Sequence, residues 1–132
     1  MSAVLDTHST IWYLHRSKHL SPAALRIIRG AVESGRPLFI SAITLVETIY
    51  LAERGRLPLE ALSRLTSEVR SGASSVLVQP VDENVAEAIH KIPRDIVPDM
   101  PDRIIAATAL FLGLPLVTRD RRLQAAGIRT IW

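Results

Sequence analysis

Four carboxylates fall where the chain changes character: Asp6 after the apolar run Ala3-Val4-Leu5, Glu47 in an apolar helical stretch, Asp102 before Ile104-Ile105-Ala106-Ala107, and Asp120 after Leu116-Val117-Thr118. In open sheets with helical crossovers, ligands collect at the carboxyl ends of the strands, so acids at two strand exits and on two helices are able to converge there. Carboxylates brought together repel, and a divalent cation is the guest that relieves the repulsion. Hard oxygen donors suit Mg²⁺ or Mn²⁺, which keep several waters and bind phosphates alongside a few carboxylates. The chemistry this set predicts is metal-assisted attack of water on a phosphodiester.

Each acid also has a purely structural explanation. Asp6 and Asp120 are in place to cap the helices that follow them, and Asp102 to favour a helix dipole with Asp99 as the cap three residues earlier. Glu47 lies near Ile43 and Tyr50 on a helical wheel, at the border of the apolar arc, where a charge needs a partner such as an arginine. Taken together, however, four acids must all fall by chance on elements able to meet at one sheet edge. Asp99 is a secondary candidate, either a cap or an outer ligand held through water. Thr7 and Thr118 stand beside Asp6 and Asp120, where a hydroxyl can orient a carboxylate or a water, although plain turn chemistry is the better account of Thr7. His8, His15, His19 and His90 lack the paired spacing of a zinc site. Arg103, Arg119, Arg121 and Arg122 flank two of the acids and are in place to hold phosphates or balance the carboxylates. Trp12, Tyr13 and Trp132 are able to stack on bases, but so few aromatics are more often core or interface.

The bulk numbers agree with a polyanionic partner without requiring one. Of 16 basic residues only Lys18 and Lys91 are lysine, leaving 14 arginines, whose planar fork pairs well with phosphate, and the net charge is +3. A GC-rich coding sequence would explain the arginines as well. At 132 residues with 48% hydrophobic content, a single domain spanning 1–132 is expected. The absence of cysteine excludes disulfides and thiolate chemistry and permits a reducing, cytoplasmic setting. No basic segment with a long apolar run precedes Asp6, so a cleaved signal peptide is not expected. The longest apolar stretch, 104–117, holds Thr108, Gly113 and Pro115 and is too short to span a bilayer.

Periodicity and punctuation predict the elements that position the acids. A strand at 3–5 precedes a helix from near Thr10. Ser21-Pro22 starts a second helix that stops at Ser34-Gly35, and a strand at 38–40 leads to a helix capped by Ser41 and running to about Glu53. A helix after Pro58 ends at Ser71-Gly72, a strand covers 75–81, and a helix after Asp82 carries Val85, Ala88, Ile89 and Ile92. Pro93, Pro98 and Pro101 enclose a loop, followed by a buried helix at 102–112, a strand at 114–117, a short helix at 120–126 and a closing strand at 129–132. The alternation predicts an α/β fold, a sandwich with a mainly parallel sheet.

The segments Val4-Leu5-Asp6-Thr7-His8, Ser41-Ala42-Ile43-Thr44-Leu45-Val46-Glu47, Pro98-Asp99-Met100-Pro101-Asp102-Arg103-Ile104-Ile105-Ala106-Ala107-Thr108-Ala109 and Leu116-Val117-Thr118-Arg119-Asp120 resemble the PIN-domain family, and within it the VapC-like toxins. The likeness runs from about Ala3 to Trp132. It implies a three-layer α/β/α sandwich, Mg²⁺- or Mn²⁺-dependent endoribonuclease activity, a homodimer and a cognate VapB-like antitoxin. The family's acidic quartet corresponds to Asp6, Glu47, Asp102 and Asp120, with Thr118 of Thr118-Arg119-Asp120 positioning the attacking water. Under that reading Asp6, Asp102 and Asp120 hold the ion, and Glu47 orients or deprotonates the nucleophile.

Two rivals make different demands on the same residues. A phosphatase or phospho-acceptor domain would phosphorylate a strand-end aspartate such as Asp6, but no second acid follows two positions on and neither lysine follows a strand. A non-catalytic module would bind RNA or protein with its acids merely balancing arginines, and Asp6→Asn would then leave its function intact.

Overall fold

Ala3–Leu5 forms a strand (β1) in which all three side chains are buried, and every other element is arranged around it. The computed structural model describes residues 1–132. Along the chain β1 is followed by α1 (Thr7–Leu14), α2 (Pro22–Glu33), β2 (Leu38–Ser41), α3 (Ala42–Glu53), α4 (Leu59–Arg70) and β3 (Val76–Gln79). Next come α5 (Glu83–Ala88), continued by a 3₁₀ turn at Ile89–Lys91, then α6 (Met100–Leu112), β4 (Leu116–Val117), α7 (Arg121–Gln124) and β5 (Thr130–Ile131). The strands pair in parallel in the order β3-β2-β1-β4-β5. Successive strands step outward from β1 through β2 to β3, and the chain then crosses to the other side for β4 and β5. The reversal lies between β1 and β4, and there the loops leave in opposite directions and open a crevice at the carboxyl ends.

Alternation along the strands divides the interior in two. Val4 and Leu116, paired in register, face a cluster built on α5, α6 and α7 that holds Val85, Ile92, Ile105 and Leu123. Leu5 and Val117, the next pair, face the opposite cluster with Ala24, Ile28 and Ala31 of α2 and Leu65 of α4. The result is a three-layer α/β/α sandwich, built on the parallel sheet that the alternation of elements predicts. Helix α6 is buried from Ile104 through Ala109, as a helix apolar nearly all round must be.

Caps set several boundaries away from their expected places. Helix α1 begins at Thr7, not near Thr10, because the Asp6 carboxylate accepts the Ser9 amide at 2.8 Å and starts the helix at once. Helix α6 begins at Met100, because Asp99 caps it by accepting the Asp102 amide at 3.1 Å. Pro101 belongs to its first turn, where the missing N–H has no partner to lose. At the other end Gly113 closes α6 in the left-handed conformation, φ 66°. Strands β3, β4 and β5 are each shorter than the apolar runs that contain them.

Candidate active site

Two of the acids meet across the reversal point through a threonine. Asp6 leaves β1, and Thr118 leaves the adjacent β4, so parallel pairing puts them side by side. The Thr118 hydroxyl donates to Asp6 Oδ2 at 2.5 Å and accepts from the Asp120 amide at 3.0 Å. Asp6 Oδ1 is held by the Ser9 amide, and the backbone is tied across the same gap by Asp6 N donating to the Val117 carbonyl at 3.2 Å. Asp6 is 7% exposed and Thr118 fully buried, so this carboxylate is fixed in direction before any ligand arrives. Asp120 is exposed and caps α7 through Oδ1, which accepts from the Arg122 and Leu123 amides. Its capping role and its place beside Asp6 coexist, because Oδ2 carries neither of those bonds.

Glu47 is held by a second threonine system. Thr7 Oγ1 donates to Glu47 Oε1 at 2.5 Å and lies 3.1 Å from Thr44 Oγ1. With Glu47 ionised, the Thr7 proton is committed to the carboxylate, so Thr44 donates to Thr7. Burial raises the Glu47 pKa most, and Asp99 and Asp6 raise it further, against the Thr7 hydrogen bond and His8, which lower it. No arginine pairs with Glu47; the single ion pair in the chain is Arg64–Glu60 at 3.2 Å, on the surface of α4.

Asp102 registers the whole group. It sits in the first turn of α6, and its carboxyl is pushed up to about 7, first by burial and then by repulsion from Asp99, Asp120, Glu47 and Asp6. The other three candidate acids, and Asp99 with them, therefore lie close enough to act on Asp102, with no lysine or arginine paired to any. They are nonetheless splayed: no three acidic or histidine side chains stand close enough to form a ready-made ligand set for one ion. Asp6 and Asp120 share a cavity of about 280 Å³ with His8, Trp12 and Arg119, which Glu47 and Asp102 do not line. Roomier concavities of about 430 and 480 Å³ run along α2, away from the acids.

The residues present fit a divalent cation. The donors are hard oxygens, their mutual repulsion is uncompensated, and threonine hydroxyls fix two of them. An open spacing suits an ion that binds one or two carboxylates directly and completes its shell with water and phosphate oxygens.

Arg103 does not serve the site as its position next to Asp102 suggests. Its guanidinium donates to the carbonyls of Ile89 and Ile92 at 3.1 and 2.8 Å, which ties the turn after α5 to α6. Its neighbour in sequence faces the acids because successive helix residues point about 100° apart. Thr44 is a residue the sequence reading passed over. Its signal was its place three residues before Glu47, on the same helix face.

A parallel α/β/α sandwich with acids at the reversal point of its sheet defines a class, and residues 3–128 match the PIN domain family, to which this chain belongs. Ribonuclease VapC22 of Mycobacterium tuberculosis (strain ATCC 25618 / H37Rv) is 33% identical over 124 residues, covering 94% of this chain and 91% of that protein. Among solved structures, VapBC2 from Rickettsia felis bound to a promoter DNA fragment aligns with TM-score 0.72 at 15% identity, covering 98% of this chain and 97% of the other. DNA-bound VapBC from Salmonella typhimurium aligns with TM-score 0.69 at 25% identity, with 98% and 97% covered.

Proposed function

We propose that this chain is a Mg²⁺- or Mn²⁺-dependent endoribonuclease, the toxin of a VapBC-type pair, with Asp6, Glu47, Asp102, Asp120 and Thr118 as its active-site residues. The observation that carries the reading is the uncompensated carboxylate group around Asp102 at the carboxyl end of the sheet. Membership of the PIN family and the likeness to a relative named as a ribonuclease support it. Asp6, Asp102 and Asp120 would hold the cation, with Glu47 beside them. Once bound, it would neutralise the acids and supply Lewis-acid charge to a water and to the phosphoryl group.

The chain's own groups have distinct tasks. Thr118 keeps the Asp6 carboxylate aimed at the site. Thr7, itself bonded to Thr44, holds one oxygen of Glu47, leaving Oε2 to take a proton from the attacking water. Burial raises the basicity of that carboxylate, which suits it to the task. Because water is the nucleophile, no histidine base and no 2′-hydroxyl is required.

A VapB-like antitoxin, supported by the VapBC complexes named above, and a second copy of this chain are the proposed partners. Val46, Ile49 and Tyr50 are 45%, 41% and 57% exposed on one face of α3, an apolar surface suited to self-association. A cytoplasmic location is part of the same reading; no helix is long and apolar enough to cross a membrane.

The test is cleavage of a panel of tRNAs, rRNAs and single-stranded DNA with Mg²⁺, with Mn²⁺ and with chelator. Wild type should cut RNA only with metal, and Asp6→Asn and Asp102→Asn should abolish cutting while keeping the fold. Cleavage that persists in chelator would overturn the mechanism.

A further inference from the structure

Trp12 is the centre of a stack that opens onto the acids. It lies one helical turn after His8 on α1, so both rings share one face of that helix. The His8 ring is 5.6 Å from the indole at 47°, the His19 ring stacks on it at 5.2 Å and 19°, and Trp132, after β5, meets it at 5.8 Å and 53°. The Arg119 guanidinium carbon is 6.0 Å from the Trp12 ring. Below, Trp12 and Trp132 pack on the core cluster of α2 and α4, which fixes the platform. Above, His8, His19 and Arg119 are exposed, and Trp12 itself is only partly buried.

A group of rings that served only the core would bury its members. Here the His8 and Trp12 rings and an Arg119 guanidinium free of any carboxylate partner line the 280 Å³ cavity together with Asp6 and Asp120. A nucleotide needs this combination: a planar surface for its base and a planar cation for its phosphate.

We propose that the His8–Trp12–Arg119 wall is a stacking subsite for an unpaired RNA base flanking the scissile phosphate, with Arg119 holding the adjoining phosphate. The proposal rests on the nuclease reading for what the neighbouring acids do. Trp12 and His8 position substrate and take no part in bond making. Stacking of this kind tolerates any base, so the subsite selects single-stranded over paired RNA more than one sequence over another.

The test uses the full chain in chelator with a labelled 12-nucleotide single-stranded RNA of mixed sequence and an abasic strand of the same length. Trp12→Leu should weaken binding of the base-bearing strand roughly ten-fold and leave the abasic strand unchanged, with Trp12→Phe restoring most of the loss. Arg119→Gln should weaken both strands. In a Trp132→Phe background the remaining indole emission, from Trp12, should be quenched by the base-bearing strand and not by the abasic one, a readout independent of whether Trp12→Leu folds. Equal affinity of wild type for the two strands, equal loss on both with Trp12→Leu, or unquenched Trp12 emission would each overturn the subsite. Cutting the same RNA with Mg²⁺ separates the two readings. Cleavage by wild type without base-dependent binding ends the subsite alone, whereas base-dependent binding without cleavage by wild type ends the nuclease reading alone.

Discussion

Asp102 is an acid whose fold works against its charge. It ionises near 3.8 in the unfolded chain and near 7 in the metal-free fold, so between those values the folded protein holds the extra proton. Metal-free stability must therefore fall as pH rises through that window, and Glu47 adds to the trend in the same direction. Thermal unfolding in chelator should give a lower Tm at pH 8 than at pH 5, with Asp102→Asn raising the pH 8 value and flattening most of the slope. A flat wild-type profile would show that neither burial nor the neighbouring acids disfavour the Asp102 charge. Thr118 is the opposite case, a neutral group on which a charge depends. Thr118→Val leaves Asp6 Oδ2 and the Asp120 amide without their partner, so the fold should lose about 1–3 kcal/mol. Thr118→Ser should restore both stability and cleavage, as urea unfolding and an RNA assay would report.

The acid-bearing first turn of α6 and middle of α3 are held by different means. Helix α3 follows β2 directly, with Ser41 ending the strand and capping the helix, so Glu47 is positioned by chain continuity. Helix α6 is reached through a proline-rich segment, and its start depends on Asp99 and on Arg103 bound to the Ile89 and Ile92 carbonyls. Arg103→Ala removes both bonds to those carbonyls. Hydrogen exchange should then quicken across residues 89–98 and the first turn of α6, and cleavage should fall although no acid has changed. Unaltered exchange there would mean that the prolines alone hold the segment.

Across the molecule, acids and arginines act at different ranges. The four candidate acids and Asp99 gather at the carboxyl ends of the strands, and the rest of the chain carries the basic excess, with sequence pI about 9.9. Mg²⁺ should raise Tm at pH 7 and release protons on binding, because it displaces the proton from a carboxyl poised near 7. Calorimetry in buffers of different ionisation enthalpy measures that release, and its absence would place the ion away from Asp102. Self-association through α3 is equally open to measurement: Ile49→Glu should shift a dimer to monomer in light scattering while leaving the fold intact.

Much of this architecture was legible in the chain itself. Alternating apolar runs and Ser-Pro, Asp and Gly signals marked every strand and helix to within a few residues, because caps and backbone punctuation are local. The types of the four acids followed from the residues as well, and so did the family, from short segments of fixed spacing. What only the fold decided was which neighbours those acids meet. Thr118 reaches Asp6 and Thr7 reaches Glu47 across 112 and 40 residues, contacts created by parallel pairing of β1 with β4 and by the packing of α1 beside α3. The turning of Arg103 away from the acids and of Trp12 toward them was likewise settled by packing, since a side chain's direction depends on the elements that close around it.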